Sequence, residues 1–190
     1  MMTKILSSKT SRIVVTAMMM CLIMVAIFIL RIPIPFTQGY VNLSDAVIFL
    51  SVIMLGWKYG MAAASLGSMM GDIIGGFAMW APWTFFIKGM MALIMGLMLE
   101  MAEKREDISA KRKKAVEVAA MAVSGTFMTC GYFIAEGIMY GNWVVAALGI
   151  PWNIGQFVVG MVLALVLEAA LKKTSLRKFF SSTKEHDNSI

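Results

Sequence analysis

The chain has 190 residues, 59% of them hydrophobic and 15% charged, with a formal net charge of +6. Soluble domains average about 45–50% apolar and about 25% charged residues, so water is not the main solvent here and a soluble enzyme is excluded. A membrane-spanning helix takes about 20 mostly apolar residues, which leaves room for at most about six spans in one domain.

Lys4, Lys9 and Arg12 precede an uncharged apolar run at 13–30. The run is longer than the apolar stretch of a signal peptide and shows no small-residue cleavage site before Arg31, so it reads as a retained first span. A polar, proline-marked loop, RIPIPFTQGYVNLS, occupies 31–44. The second span runs over 45–56, short enough to cross only partly or to sit tilted. Trp57, Lys58 and Tyr59 make a tight turn, the third span covers 60–78, residues 79–82 reverse the chain, and the fourth span covers 83–102. After the charged connection EKREDISAKRKK at 103–114, the fifth span runs over 115–135 with room to extend toward Tyr140. A Gly-rich loop reaches Ile150 and the sixth span takes 151–171. The expected organisation is a cytoplasmic tail at 1–12, an all-α membrane domain of six transmembrane helices at 13–172, and a cytoplasmic tail at 173–190.

Orientation follows from charge. Fifteen of the 17 Lys and Arg residues fall in the two tails, the 57–59 turn and the 103–114 connection; only Arg31 and Lys88 lie elsewhere. Cytoplasmic segments collect Lys and Arg, which puts both termini inside and the loops at 31–44, 79–82 and 136–150 outside. The net positive charge reflects this topology, and no nucleic-acid partner is needed to explain it.

Ionisable residues at membrane depth are costly and mark function or a structural ion pair. Asp72 and Lys88 lie eight residues on either side of Trp80, hence at equal depths of about 12 Å below the hairpin tip, where they can pair. Such a pair is either purely structural or also borders a ligand. Ala63, Gly67, Gly71 and Gly75 form a small-residue ridge on which another helix can approach closely. Asn153 and Gln156, three apart on the last span, share a face. They either face a cavity or join helices by hydrogen bonds. Glu136, Asn142, Tyr132, Tyr40, Asn42 and Gln38 belong to the same outer rim, with Trp80, Trp83, Trp143 and Trp152 as an aromatic belt from which one or two rings can stack on a ligand. Cys21 and Cys130 lie in apolar runs and read as small packing residues. The lone His186 sits in the C-terminal tail, and there is no HExxH, GxSxG or GxxxxGK motif, so metal hydrolysis, serine chemistry and self-powered ATP use lack their residues.

From residue 11 to residue 173 the chain resembles the S components of energy-coupling factor (ECF) vitamin transporters. The resemblance is carried by NLSDAVIFL at 42–50, YGMAAASLGSMMGD at 59–72, PWTFFIKG at 82–89 and PWNIGQFVVG at 151–160. These stretches are similar to the riboflavin-type group that includes the hydroxymethylpyrimidine or pyridoxine subfamily. The resemblance implies a non-catalytic, plasma-membrane subunit of a bacterial importer. It would have six helices, an outward-facing pocket under the outer loops and no cofactor of its own. Its implied partners are an ECF transmembrane subunit and two ATPase subunits that use ATP, and its implied mechanism is binding from outside, closure by the first loop and reorientation of the whole subunit. Carried over by position, the resemblance implies Lys88, Asp72, Asn153 and Gln156 as substrate-binding residues; Glu136, Trp83, Tyr132, Tyr40 and Asn42 join them as candidates from the outer rim. Relatives for larger substrates often carry lysine where this chain has Gln156. The family's AxxxA partner-docking face falls on Ala17 and Cys21. A stand-alone secondary transporter and a membrane scaffold are the alternatives, although no internal repeat supports the first and a converging polar rim does not suit the second.

Overall fold

The computed structural model describes residues 9–35, 37, 39–105 and 109–174. The expectations placed on Lys4, Gln38, His186, the 175–190 tail and the middle of the 103–114 connection lie outside these residues.

Five helices are long and apolar enough to cross a membrane: α1 (Lys9–Ile29), α2 (Ser44–Ile74), α3 (Ala81–Glu103), α4 (Ala110–Tyr140) and α5 (Trp143–Lys172). The expected second and third spans are therefore two parts of one element, divided at Gly56, whose φ of 76° and ψ of 178° break the helix. Glycine alone adopts such a backbone without steric cost. The break is sharp. A Cβ placed on Gly60 would lie 2.9 Å from the Cα of Val52, whereas eight residues of straight helix would separate these positions by about 12 Å. The chain thus folds back on itself one residue before the expected turn at 57–59.

The connections and the last helix differ from expectation in detail. The expected 31–44 loop carries regular structure: β1 (Arg31–Pro33) and β2 (Tyr40–Asn42) form an antiparallel hairpin in which Ile32 pairs with Val41. The Gly-rich loop expected up to residue 150 shrinks to a turn at 141–142. Gly141 ends α4 in the left-handed conformation (φ 62°), and the Asn142 side chain caps α5 by accepting hydrogen bonds from the backbone N–H of Val144 (3.0 Å) and Val145 (3.2 Å). Pro151, expected to open the last span, lies inside α5 instead.

Helix packing follows the small residues. On α2, a Cβ at Gly67 would meet the Met20 backbone at 3.1 Å, and Gly71 leaves room for Ile27, so the ridge seats α1. α2 also packs on α3 and α5, α3 on α4, and α4 on α5. Gly160 lets α5 reach Asp45 at the start of α2, with 2.7 Å between a virtual Cβ and the Asp45 Cβ. The core holds Ile23, Ile48, Phe49, Met91, Met95, Met121 and Met128, while Val14, Phe86, Val144, Val158 and Val162 point outward. Apolar groups facing outward on every helix fit a lipid surround.

Candidate functional site

A cavity opens at the end of the bundle covered by the β1–β2 hairpin. Its empty space, including the part continuous with solvent, is about 450 Å³. Each wall comes from a different element: Tyr40 and Asn42 from the hairpin, Ser68 and Asp72 from α2, Trp80, Thr84 and Lys88 from the start of α3 and the residue before it, Tyr132 and Glu136 from α4, and Asn153 and Gln156 from α5. Tyr40 and Gln156, 116 positions apart, meet here because α2 and α4 end where α3 and α5 begin.

Lys88 does not pair with Asp72. Its ammonium makes a buried ion pair with Asp45, approaches Met128 Sδ at 2.9 Å and lies 5.5 Å from the centre of the Tyr132 ring. The depth argument placed Asp72 and Lys88 correctly at one end of the bundle. Asp45, the actual partner, stands in the first turn of α2, where an acidic residue also complements the helix dipole. Gln156 completes the cluster: its Nε2 donates to Asp45 Oδ2 at 2.9 Å, and its Oε1 accepts the Asn42 N–H at 2.8 Å. One amide thus ties the hairpin to the buried charge pair.

Asp72 instead accepts the Tyr40 hydroxyl at 2.5 Å. Burial, followed by the neighbouring Asp72 carboxylate, holds the Tyr40 phenol above its ordinary pKa, so it remains a donor. Arg31 latches the other hairpin strand, with Nη1 on the Gly75 carbonyl at 3.2 Å and its guanidinium over the rings of Tyr40 (4.6 Å), Phe77 (5.1 Å) and Phe28 (5.2 Å). Asn42 turns its side-chain oxygen to the Ser44 N–H at 2.8 Å, which starts α2. Tyr132 donates to Thr84 Oγ1 at 3.4 Å and packs near Trp80, with ring centroids 6.1 Å apart.

Of the residues named from sequence, Lys88, Asn153, Gln156, Asp72, Glu136, Tyr132, Tyr40 and Asn42 line this one cavity. Trp83 does not; it packs against the core, and Trp80 occupies the wall instead. Ala17 and Cys21 are exposed on α1, on the face carrying Val14, Met18 and Val25 and away from the cavity. Asn153 is only 5% exposed, and no hydrogen bond engages its amide among the described residues.

Unsatisfied polar atoms concentrate at this end. Among the described residues, the buried side-chain oxygens and nitrogens without a hydrogen-bond partner are those of Arg31, Ser44, Ser68, Asp72, Trp80 and Glu136. All but Arg31 line the cavity, and Arg31 adjoins it. Native interiors seldom leave such groups unpaired, because each costs about 1–3 kcal/mol. Among the described residues these atoms cluster around this one cavity.

Residues 7–173 match the family described as ECF-type riboflavin transporter, S component. A Lactococcus lactis protein named thiamine precursor transporter HmpT is 29% identical over 149 residues, covering 78% of this chain and 80% of that one. An uncharacterised Pyrococcus woesei protein is 31% identical over 117 residues, 62% of this chain and 72% of its own length. The fold is also similar to a solved S component of a bacterial ECF transporter, with a TM-score of 0.66, 20% identity, and coverage of 87% of this chain and 98% of the other.

Proposed function

This chain belongs to the family of ECF-type riboflavin transporter S components, and from that premise we propose that its cavity captures a small water-soluble vitamin or vitamin precursor for import. Pyridoxine and hydroxymethylpyrimidine are the favoured substrates. As a multi-pass membrane protein it would work in the bacterial plasma membrane, with the hairpin outside and both termini inside. In this reading the parts of α2 at 44–55 and 57–74 count as separate crossings, six in all.

The observation that carries the reading is the set of buried, unpartnered polar atoms gathered around one cavity. The cavity combines apolar walls with a few placed polar groups, the makeup usual for small-molecule sites. The resemblance to a thiamine precursor transporter agrees with a compact heterocycle. Gln156, a neutral amide in a position where relatives for larger substrates often have lysine, agrees with a ligand that brings no phosphate.

The subunit would bind and release its ligand without transforming it. Hairpin closure excludes water through the Tyr40–Asp72, Arg31–Gly75 and Asn42–Gln156 contacts, and energy would come from ATP hydrolysis on partner subunits docked along the α1 face at Ala17 and Cys21. The test is reconstitution. Concentrative uptake should require an ECF transmembrane subunit, its ATPases and ATP; steady concentrative uptake by this chain alone in ATP-free liposomes would contradict the assignment.

A further inference from the structure

Glu136 differs from the other carboxylates at the cavity in what faces it. Asp45 meets the Lys88 ammonium and the Gln156 amide, and Asp72 meets the Tyr40 hydroxyl. Glu136 is 2% exposed, and among the described residues no donor reaches its Oε2. Two glycines leave space for its head group. A Cβ on Gly149 would lie 2.6 Å from Oε2, and one on Gly39 would lie 3.5 Å from Oε1.

The same point on Gly39 lies 3.5 Å from Trp80 Cζ2, on the side of the indole that carries the N–H. Trp80 Nε1 is itself buried and unpartnered. The Oε1 side of the Glu136 carboxylate, an acceptor, and an indole N–H that needs an acceptor therefore border one patch of the cavity. The charge balance there also has a sign. Lys88, the lining cation among the described residues, is already bound to Asp45, whereas Asp72 Oδ2 and Glu136 Oε2 remain unsatisfied. An anion entering the cavity would meet two carboxylates and no uncommitted lining cation, since the Arg31 guanidinium stands beside the cavity on the Gly75 carbonyl and three aromatic rings, whereas an N–H-bearing group can donate to the carboxylates.

We propose that Glu136 and Trp80 together read an amidine-like edge of the ligand, in which Glu136 accepts from an exocyclic amino group and Trp80 Nε1 donates to the adjacent ring nitrogen. The site then selects amino-substituted, neutral-to-cationic heterocycles over oxo-substituted or phosphorylated ones. A 4-oxopyrimidine reverses the pattern, placing its carbonyl against the carboxylate and its ring N–H against the indole. The inference rests on the reading of this cavity as the substrate site, and it separates the two favoured substrates, since pyridoxine has no amino group beside a ring nitrogen.

The test is calorimetric titration of the purified full-length protein with four probes: 4-amino-5-hydroxymethyl-2-methylpyrimidine, its 4-oxo counterpart, its phosphate ester and pyridoxine. The aminopyrimidine should bind tightest, about 10-fold to 150-fold above the oxo compound, as for loss of one buried hydrogen bond to a charged group. Glu136→Gln, whose amide can donate as well as accept, should erase most of that preference. Equal or tighter binding of the oxo compound or pyridoxine by the wild-type protein overturns this inference and leaves the vitamin-site reading standing. Full discrimination by a folded Glu136→Gln variant overturns it as well. If that variant does not fold, the wild-type probe series decides alone. Failure of a thermally stable wild-type protein to bind any of the four removes both the inference and the reading beneath it.

Discussion

Two buried glutamates on neighbouring helices have opposite surroundings. Glu168, 1% exposed near the end of α5, forms ion pairs with both Lys114 and Lys172, and Lys114 also holds Glu117 at 2.6 Å. Glu136, equally buried on α4 at the other end of the bundle, has an oxygen that meets no donor among the described residues. The same contrast holds for the ends as a whole: the unpartnered buried polar side-chain atoms described belong to the hairpin end. Where charge serves only to fasten helices, the chain supplies both partners. In the proposed site, the Glu136 carboxylate keeps an oxygen that no described residue serves.

The largest effect should come from breaking the one saturated pair inside the binding end. Lys88→Met strands the fully buried Asp45 carboxylate and should cost about 3–5 kcal/mol of stability, read as a lower thermal midpoint. Adding Asp45→Asn should restore part of it; no restoration would mean that the pair is not what matters. Next, Asn153→Ala should weaken ligand binding by about 5-fold to 150-fold, from a lost buried hydrogen bond of about 1–3 kcal/mol. Its melting temperature without ligand should fall little, because no side-chain hydrogen bond to a described residue is lost. Glu168→Gln should do the reverse: its lysines are nearly half exposed, so about 1 kcal/mol of stability is at stake, while calorimetry shows unaltered ligand affinity. The smallest effect on the isolated protein should follow Ala17→Leu or Cys21→Leu, which leave stability and ligand affinity intact but reduce recovery of the partner subunit in pull-downs. Undiminished recovery with both would take this face out of the interface.

How much of this was legible in the sequence depended on range. Apolar runs and Lys/Arg placement marked the membrane helices, and the 63–75 small-residue ridge marked a close helix contact, because each is written in local periodicity. Equal spacing about Trp80 brought Asp72 and Lys88 to one end of the bundle, yet it assigned the wrong partner. Asp45 is 43 residues from Lys88, and only tertiary packing, with Gly160 admitting α5, sinks the start of α2 deep enough to bring them together. Asn142 held a readable signal that the expected 136–150 loop obscured: an Asn before an apolar run is a helix cap. Trp80 and Trp83 are both plausible ring walls by composition, and only their places tell them apart, Trp80 just before α3 on the cavity wall and Trp83 in the first turn of α3 against the core.

The central claim is that the hairpin-end cavity is built around a ligand and the opposite end is not. Native mass spectrometry of gently purified protein tests it directly by comparing wild type, Asn153→Ala/Gln156→Ala and Glu168→Gln. The account predicts one small heterocycle per protein molecule in the wild type and in Glu168→Gln, and its loss from the double variant while that protein remains folded. Retention of the same compound by the double variant at wild-type occupancy would contradict it.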